Sequence, residues 1–477
     1  MSSPEDITSL GREELLGLVV QQHRQIAELE RQVAELTTTS AALRAENAQL
    51  QRGAKRQAAP FSKGTRVANP KRPGRKPGSG HFSFREAPRP EEITELPVEV
   101  KVTLTACPGC GGRLEEERVD FASITDIPEP PRPRVTQYRV WVCRCTRCGK
   151  RVRGQHPHLA PDQYGATAHR VGGRAMAAAH ILHYGLGIPV RKVPGVLGLL
   201  TGLELTQGAI TQDALRRARQ EVGHRYDQLR AAVKESPVVY TDDTGWRMGG
   251  EGANLMAYDT DQAMVYQVRR RHRHQEVQEV IPADYQGVMV TDRGRSYEAR
   301  SFHWVKQQKC LAHLLRSISQ VVEGKKGRAR DFGENLKTLL RAAMQLWREQ
   351  RAGPVADLEA RVGELRFAIA YHLRERTLKD PDNRRLLREI GRHHRRGNLL
   401  RFLEDPAIEP TNNRAERALR PAVIARKVSH CSKNEAGAQA FSAFTSVVRT
   451  LVKQGTDSLV EEFYTLFRSA RVQTIPP

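Results

Sequence analysis

A chain of 477 residues is too long for one small core and implies about three folded units at ~150 residues each. Its formal net charge of +23, from 77 Lys and Arg against 54 Asp and Glu, makes a polyanion, nucleic acid above all, the expected partner. The longest apolar stretches, around Ala175 to Ala179 and Val196 to Leu200, are too short to span a bilayer. The start MSSPEDITSL lacks the blocks of a signal peptide, so a cytoplasmic, nucleoid-associated protein with no membrane partner is expected.

The first element, residues 1–50, places Leu15, Leu29, Leu36, Leu43 and Leu50 on one heptad seam and Val19, Ile26 and Val33 on the other. This spacing predicts a coiled coil and hence a homo-oligomer, interrupted on the seam by Gln22, Ser40 and Asn47; a single amphipathic helix folding back on its own domain is the alternative. Residues 51–85 lose all apolar period and read as a disordered basic linker with a KRPGRKPG core, suited to phosphate attraction or to an A·T-rich minor groove.

Residues 86–160 carry paired cysteines, Cys107-Pro-Gly-Cys110 and Cys145-Thr-Arg-Cys148, each followed by glycine. Four thiolates in two CxxC knuckles suit a tetrahedral structural Zn²⁺, so a zinc ribbon is expected, with a hairpin between the knuckles around Val135 to Cys143. Cys143 is a spare thiol that could replace Cys145. Residues 161–230 have helical spacing with breaks at Gly185 to Pro189 and at Gly202, then a helix from Thr206 to about Val222; the pair is helix-turn-helix-like, serving DNA reading or plain packing.

Next the period changes to short β-runs. Pro237 to Tyr240 leads into TDDTGWRM, Asn254 to Tyr258 and Ala263 to Val268 follow, and Gly287 to Thr291 leads into DRGRSYEA. An Asp at the C-terminal end of a central strand can project into a cleft while its backbone stays fixed, which singles out Asp242 and Asp292. Neighbours on a strand point to opposite faces, so Asp243 competes with Asp242, and joins the cluster only if the strand bulges. A third carboxylate, Glu416, falls mid-helix in PTNNRAERALRP, expected to start at the cap Thr411 and stop before Pro421. Arg414, Arg417 and Arg420 on that helix suit phosphates. Three carboxylates can hold two Mg²⁺ ions, or Mn²⁺ in their place, for phosphodiester chemistry.

Residues 319–405 are helical by spacing and end in the strongly basic RRLLREIGRHHRRGNLLRF, a DNA-facing surface or a merely solvated one. Cys310 and His313 in KCLAH read as structural rather than metal-binding, and Trp246 as a core residue rather than a base-stacking one.

The runs TDDTGWRM, VTDRGRSYEA, KCLAHLLRSI and EPTNNRAERALRPAVIARKVSHCSKNEAGAQAFSAFTSVVRTLV resemble the insertion-sequence 66 family of transposases, as does the order of coiled coil, basic linker and CxxC unit. The resemblance implies an α/β fold with a ribonuclease H-like catalytic core, 231–318 and 406–460, split by the helical insertion 319–405 and followed by a tail, 461–477. It further implies an Asp-Asp-Glu triad of Asp242, Asp292 and Glu416 cutting transposon ends and joining them to target DNA, with Arg414, Arg417, Arg420, Arg426 and Lys427 as DNA contacts. Accessory proteins of the same element are implied partners. The sequence departs from the family's usual Asp-Glu-Thr at Asp242-Asp243-Thr244. A zinc-ribbon DNA-binding regulator and an inactive transposase remnant are the alternatives.

Overall fold

The computed structural model describes residues 11–55, 87–94, 100–101, 103–115, 118–125, 131–156, 158–160 and 163–472. The KRPGRKPG core, 71–78, and residues 473–477 lie outside the described residues. The chain divides into two units, Met1–Ser123 and Ile124–Pro477.

In the first unit the heptad segment forms helix α1 (Arg12–Lys55), which runs past Leu50 into the start of the segment read as linker. Its seam residues Ile26, Leu29, Val33, Leu36 and Leu43 are all exposed, up to 69% at Leu36. Further on, Cys107 to Gly112 close a tight loop: the N–H of Gly111 donates to the carbonyl of Cys107 (2.8 Å), and that of Cys107 to Gly112 (2.9 Å).

The second unit begins with the same loop, built on Cys145. Gly149 N–H donates to the Cys145 carbonyl (2.9 Å) and Cys145 N–H to Lys150 (2.8 Å). Gly149 has φ +71°, a conformation that glycine adopts without a Cβ penalty. The turn sets strands β1 (Val142–Arg144) and β2 (Arg151–Arg153) in antiparallel register. The hairpin thus brackets the second knuckle. The ladder expected from Val135 is absent, because the chain folds back only where this loop supplies the reversal, and residues 131–141 have no regular structure.

Four helices follow: α2 (Gly173–His180), α3 (Val193–Thr201), α4 (Gln207–Arg217) and α5 (Glu221–Lys234). As the glycine and threonine positions predict, Gly202 ends α3 in the left-handed region (φ +66°) and the Thr206 side chain caps α4 by accepting from Ala209 N–H. The helix expected to reach Val222 instead stops at Arg217 and restarts at Glu221. The joint closes so tightly that a Cβ on Gly223 would come within 2.3 Å of the Ala218 carbonyl. Charges are buried here in pairs: Asp213 accepts from His180 (2.9 Å) and Arg217 (2.8 Å).

Five strands form one mixed sheet in the order β5-β4-β3-β6-β7. β3 (Val238–Met248) pairs antiparallel with β4 (Glu251–Asp259), which pairs antiparallel with β5 (Met264–Arg269). On its other side β3 pairs parallel with β6 (Val288–Thr291), reached through the short helix α6 (His274–Gln278), and β6 pairs parallel with β7 (Lys306–Lys309). Helices follow β7 as the spacing of 319–405 predicts, the first beginning ahead of that range: α7 (Leu311–Val322), α8 (Gly327–Ala352), α9 (Leu358–His372) and α10 (Pro381–Arg395). Leu314, Ile318, Leu336, Leu340, Ile369, Leu386 and Ile390 bury their apolar faces in one cluster that includes Tyr240 and Val290 of the sheet. α11 (Asn413–Ser429), α12 (Glu435–Gln454) and α13 (Leu459–Val472) complete the unit.

An edge strand leaves a row of unpaired N–H groups, which costs free energy unless they find acceptors. At β5 they find hydroxyls on α12 spaced four apart: Val268 donates to Ser442 (3.1 Å), Tyr266 to Ser446 (2.8 Å) and Met264 to Thr450 (3.0 Å). At the opposite edge, Lys309 N–H donates to the carbonyl of Asn398 (2.7 Å).

Burial in α10 has a consequence for acid stability. His393 is fully buried and neither ring nitrogen has a hydrogen-bond partner. Burial holds its pKa down, to about 4, against the pull of Glu298 at 3.9 Å. The folded value lies below the ordinary 6.5, so this contribution is complete above pH 6.5 and is lost as pH falls toward 4. His180, also lowered by burial, acts in the same direction. The melting temperature of the wild type relative to a His393→Asn variant should therefore fall between pH 7 and 5; a difference that stays constant across that range in calorimetry would contradict this.

Candidate active site

Asp242 lies inside β3, because the strand does not end at Tyr240 but continues to Met248. The parallel ladder with β6 stops at Tyr240, whereas the antiparallel ladder with β4 runs on, pairing Asp242 with Ala257 and Asp243 with Met256. Asp292 follows directly on the last residue of β6. The two aspartates therefore stand on neighbouring parallel strands, just beyond the point where their shared ladder ends.

Alternation along β3 separates the adjacent acids. On Asp243's face, its carboxylate meets His272 Nδ1 at 3.2 Å, and Thr241 meets the Tyr297 hydroxyl at 3.3 Å. Asp242 shares the face of Tyr240, whose hydroxyl accepts from Glu409 N–H just ahead of α11. The carboxyl of Asp242 is pushed up to about 7, first by burial and then by the negative charges of Asp292, Asp243 and Glu416, with the Asp243 N–H holding it down. Among the described residues no three His, Cys, Asp or Glu side chains are drawn tightly around one point.

Glu416 sits in the first turn of α11, not mid-helix, since Asn412 rather than Thr411 is the cap residue and the helix continues through Pro421 to Ser429. An interior proline costs about 3 kcal/mol. Burial of Ala415, Ala418, Leu419, Ala422 and Ala425 against the sheet offsets it.

Several neighbours of these carboxylates were not singled out as functional by the sequence. Asn412, fully buried, donates from its side chain to the Thr241 carbonyl (2.8 Å), and its N–H donates to Cys310 Sγ (3.1 Å). One residue thus joins β3, the start of α7 and the start of α11. His313 places Nε2 3.7 Å from the Glu416 carboxylate. Its signal was present, as the last residue of KCLAH at the start of a helix, but the spacing alone does not name its neighbour. Lys309, also fully buried, donates to the Asp292 carbonyl (3.2 Å) and pairs with Glu298 (2.6 Å). Cys310 is buried, consistent with its structural reading, and so is Trp246, which donates to Ser432 (3.1 Å) and packs on Phe441.

The arginines of α11 divide in two. Arg414 is engaged by Asp259 (2.9 Å) and Asp261 (2.6 Å), and Arg426 by Thr244 (3.1 Å) and the Gly245 carbonyl. Arg417, Arg420 and Lys427 are exposed. A cleft of about 490 Å³ opens beside them, lined by Arg417, Arg449 and Lys453 as well as Asp259 and Asp261. On α10, Arg384, Arg388 and Arg392 face outward while Leu386, Leu387 and Ile390 face the core.

The region from ahead of α2 to within α12, residues 169–440, matches the family described as Transposase IS66 family, over more than half of the chain. The chain belongs to the IS66 family of transposases. The matched span holds Asp242, Asp292 and Glu416 together with the helical insertion between the last two. This IS66 chain is also similar to the uncharacterized protein y4qI of Sinorhizobium fredii (strain NBRC 101917 / NGR234), 24% identical over 332 residues, 62% of this chain. It spans 59% of that relative's length. No helix among the described residues is long and apolar enough to cross a membrane.

Proposed function

We propose that this IS66 transposase cleaves the ends of its element and joins them to target DNA in the cytoplasm, through Asp242, Asp292 and Glu416 in a ribonuclease H-like core. The observation that carries this reading is the placement of Asp242 and Asp292 just beyond the shared ladder of β3 and β6, where the half-buried Asp242 carboxyl is raised by burial and by the charges of Asp292, Asp243 and Glu416. Carboxylates close enough to act on one another's charge offer hard oxygens, the donors that Mg²⁺ prefers, with Mn²⁺ as a substitute. Bound there, such ions activate a water or 3′-hydroxyl and stabilise the leaving oxygen. The chain's own part is positional: Asn412 and Lys309 fix the backbone beside Asp242 and Asp292, and His313 adjoins Glu416. Exposed Arg417 and Arg420, with the outer face of α10, supply phosphate contacts.

We further propose that Cys107, Cys110, Cys145 and Cys148 are ligands of structural Zn²⁺. In each loop, N–H groups hold the first thiol below its ordinary value, those of Gly109 and Cys110 at Cys107 and those of Cys148 and Arg147 at Cys145. Lowered thiols are the ones that bind zinc as thiolates. The exposed seams of α1 support self-association.

Purified protein on DNA carrying the element's ends should nick and join strands in Mg²⁺ and stop on addition of a chelator. Cleavage that persists at full rate in chelator would overturn the metal-dependent reading. A second expectation concerns Gly294, whose N–H donates to Asp292 Oδ1 (2.7 Å) and whose added Cβ would lie 2.9 Å from the same oxygen. Gly294→Ala should displace that carboxylate and slow cleavage on the order of a hundredfold, with little change in melting temperature. Wild-type rates in that variant would show that the oxygen has freedom to move.

A further inference from the structure

Trp304 is 92% exposed, whereas its neighbours Phe302 and Val305 are 1% and 4% exposed. The turn that carries it is held fast. His303 N–H donates to the Arg300 carbonyl (3.2 Å), Val305 N–H to Phe302 (3.2 Å), and the buried Gln307 side chain to the carbonyls of Tyr297 (2.9 Å) and Phe302 (3.4 Å). A large indole on a rigid turn, facing solvent, contributes nothing to this chain's own core. It is placed for a ligand.

The surroundings say which kind. Trp304 borders a cavity of about 210 Å³ shared with His303, Lys306, Arg396 and Arg401. Arg396 approaches His303 (3.5 Å) and Glu298 (3.8 Å), and Arg401 is turned toward Glu404 (3.5 Å). Among the described residues no carboxylate lies within ion-pair range of Lys306, which lines the cavity with the indole, or of Arg300 at the start of the same turn, and both are exposed. An aromatic face with cations close by, Lys306 among them without a carboxylate partner, suits a nucleobase with its phosphates better than an apolar protein surface.

The cavity is also wired to the second aspartate. Glu298 lines it and pairs with Lys309 (2.6 Å), which donates in turn to the Asp292 carbonyl (3.2 Å).

Resting on the reading of this chain as a DNA-cleaving enzyme, we propose that Trp304 is a stacking site for an unpaired DNA base, with Lys306, Arg300 and Arg396 holding the adjoining phosphates. Duplex bases present only their edges, so the occupant is a base at a frayed or single-stranded position next to the cleavage site.

The test uses the full-length protein, a short oligothymidylate, and an abasic strand of equal length and charge. Trp304→Ala should weaken oligothymidylate binding roughly tenfold, with Trp304→Phe restoring most of it, because aromatic stacking contributes about 1–3 kcal/mol per base. Abasic binding and the melting temperature should not change. Equal losses on both strands, or none on either, would overturn the stacking site. A change of oligomeric state in Trp304→Ala, with both strands bound as before, would assign the indole to a second copy instead. If the wild type binds neither strand, the DNA-cleaving reading itself fails. Wild-type binding that survives Trp304→Ala removes only the stacking site.

Discussion

Glu416→Gln is expected to abolish strand cleavage in Mg²⁺, by at least about a thousandfold, or about 4 kcal/mol of transition-state stabilisation. The amide keeps the size of the side chain in the first turn of α11 and its place beside His313 at 3.7 Å. What it loses is the charge that a hard cation requires. Exposed Arg417 and Arg420 on the same helix are untouched, so binding to end-containing DNA should remain within about twofold, and a gel-shift run beside the cleavage assay separates the two quantities. Cleavage at the unmutated rate would remove Glu416 from the metal site.

The second large effect is an asymmetry between neighbours. Asp242→Asn should be as damaging as the Glu416 change, while Asp243→Asn should cost no more than about tenfold. The reason lies in strand alternation: Asp242 feels Asp292 and Glu416, whereas Asp243 is turned to His272 at 3.2 Å, a contact that asparagine can keep. Stability supplies an independent readout. The folded Asp242 carboxyl is raised from 3.8 to about 7, so above pH 7 it is ionised at a cost that falls away only as pH drops below that value. In metal-free buffer at pH 8, Asp242→Asn should therefore raise the melting temperature while destroying activity, and Asp243→Asn should not raise it. The reverse order of activities would make Asp243 the ligand.

The sequence made the carboxylates legible because each stands beside a local signal. Asp292 follows an apolar β-run, and Glu416 follows a Thr-Asn-Asn start. The limits of those elements were less legible. α11 was expected to stop before Pro421, yet a stripe of five buried alanines and leucines carries it on to Ser429, and no local rule weighs packing against proline. β3 runs on past Tyr240 because β4 pairs with it from Tyr240 to Met248, which only the sheet reveals. Asn412 and Lys309 are ordinary polar residues in the sequence. Their importance arises from burial against backbone carbonyls contributed by segments far away along the chain. Trp246 followed its core reading, while Trp304, unmarked by any motif, faces water.

The serine and threonine ladder of α12 bears on how copies of this protein can assemble. With one margin of the sheet sealed by hydroxyls and the other by the Asn398 carbonyl, neither offers a free row of amides to a neighbouring molecule. Extension of the five-stranded sheet, a common accidental route to β-aggregates, is closed. Any synapse of protein copies and DNA must be built from helical and basic surfaces, whose contacts can be dissolved by salt and remade once the strands have been exchanged.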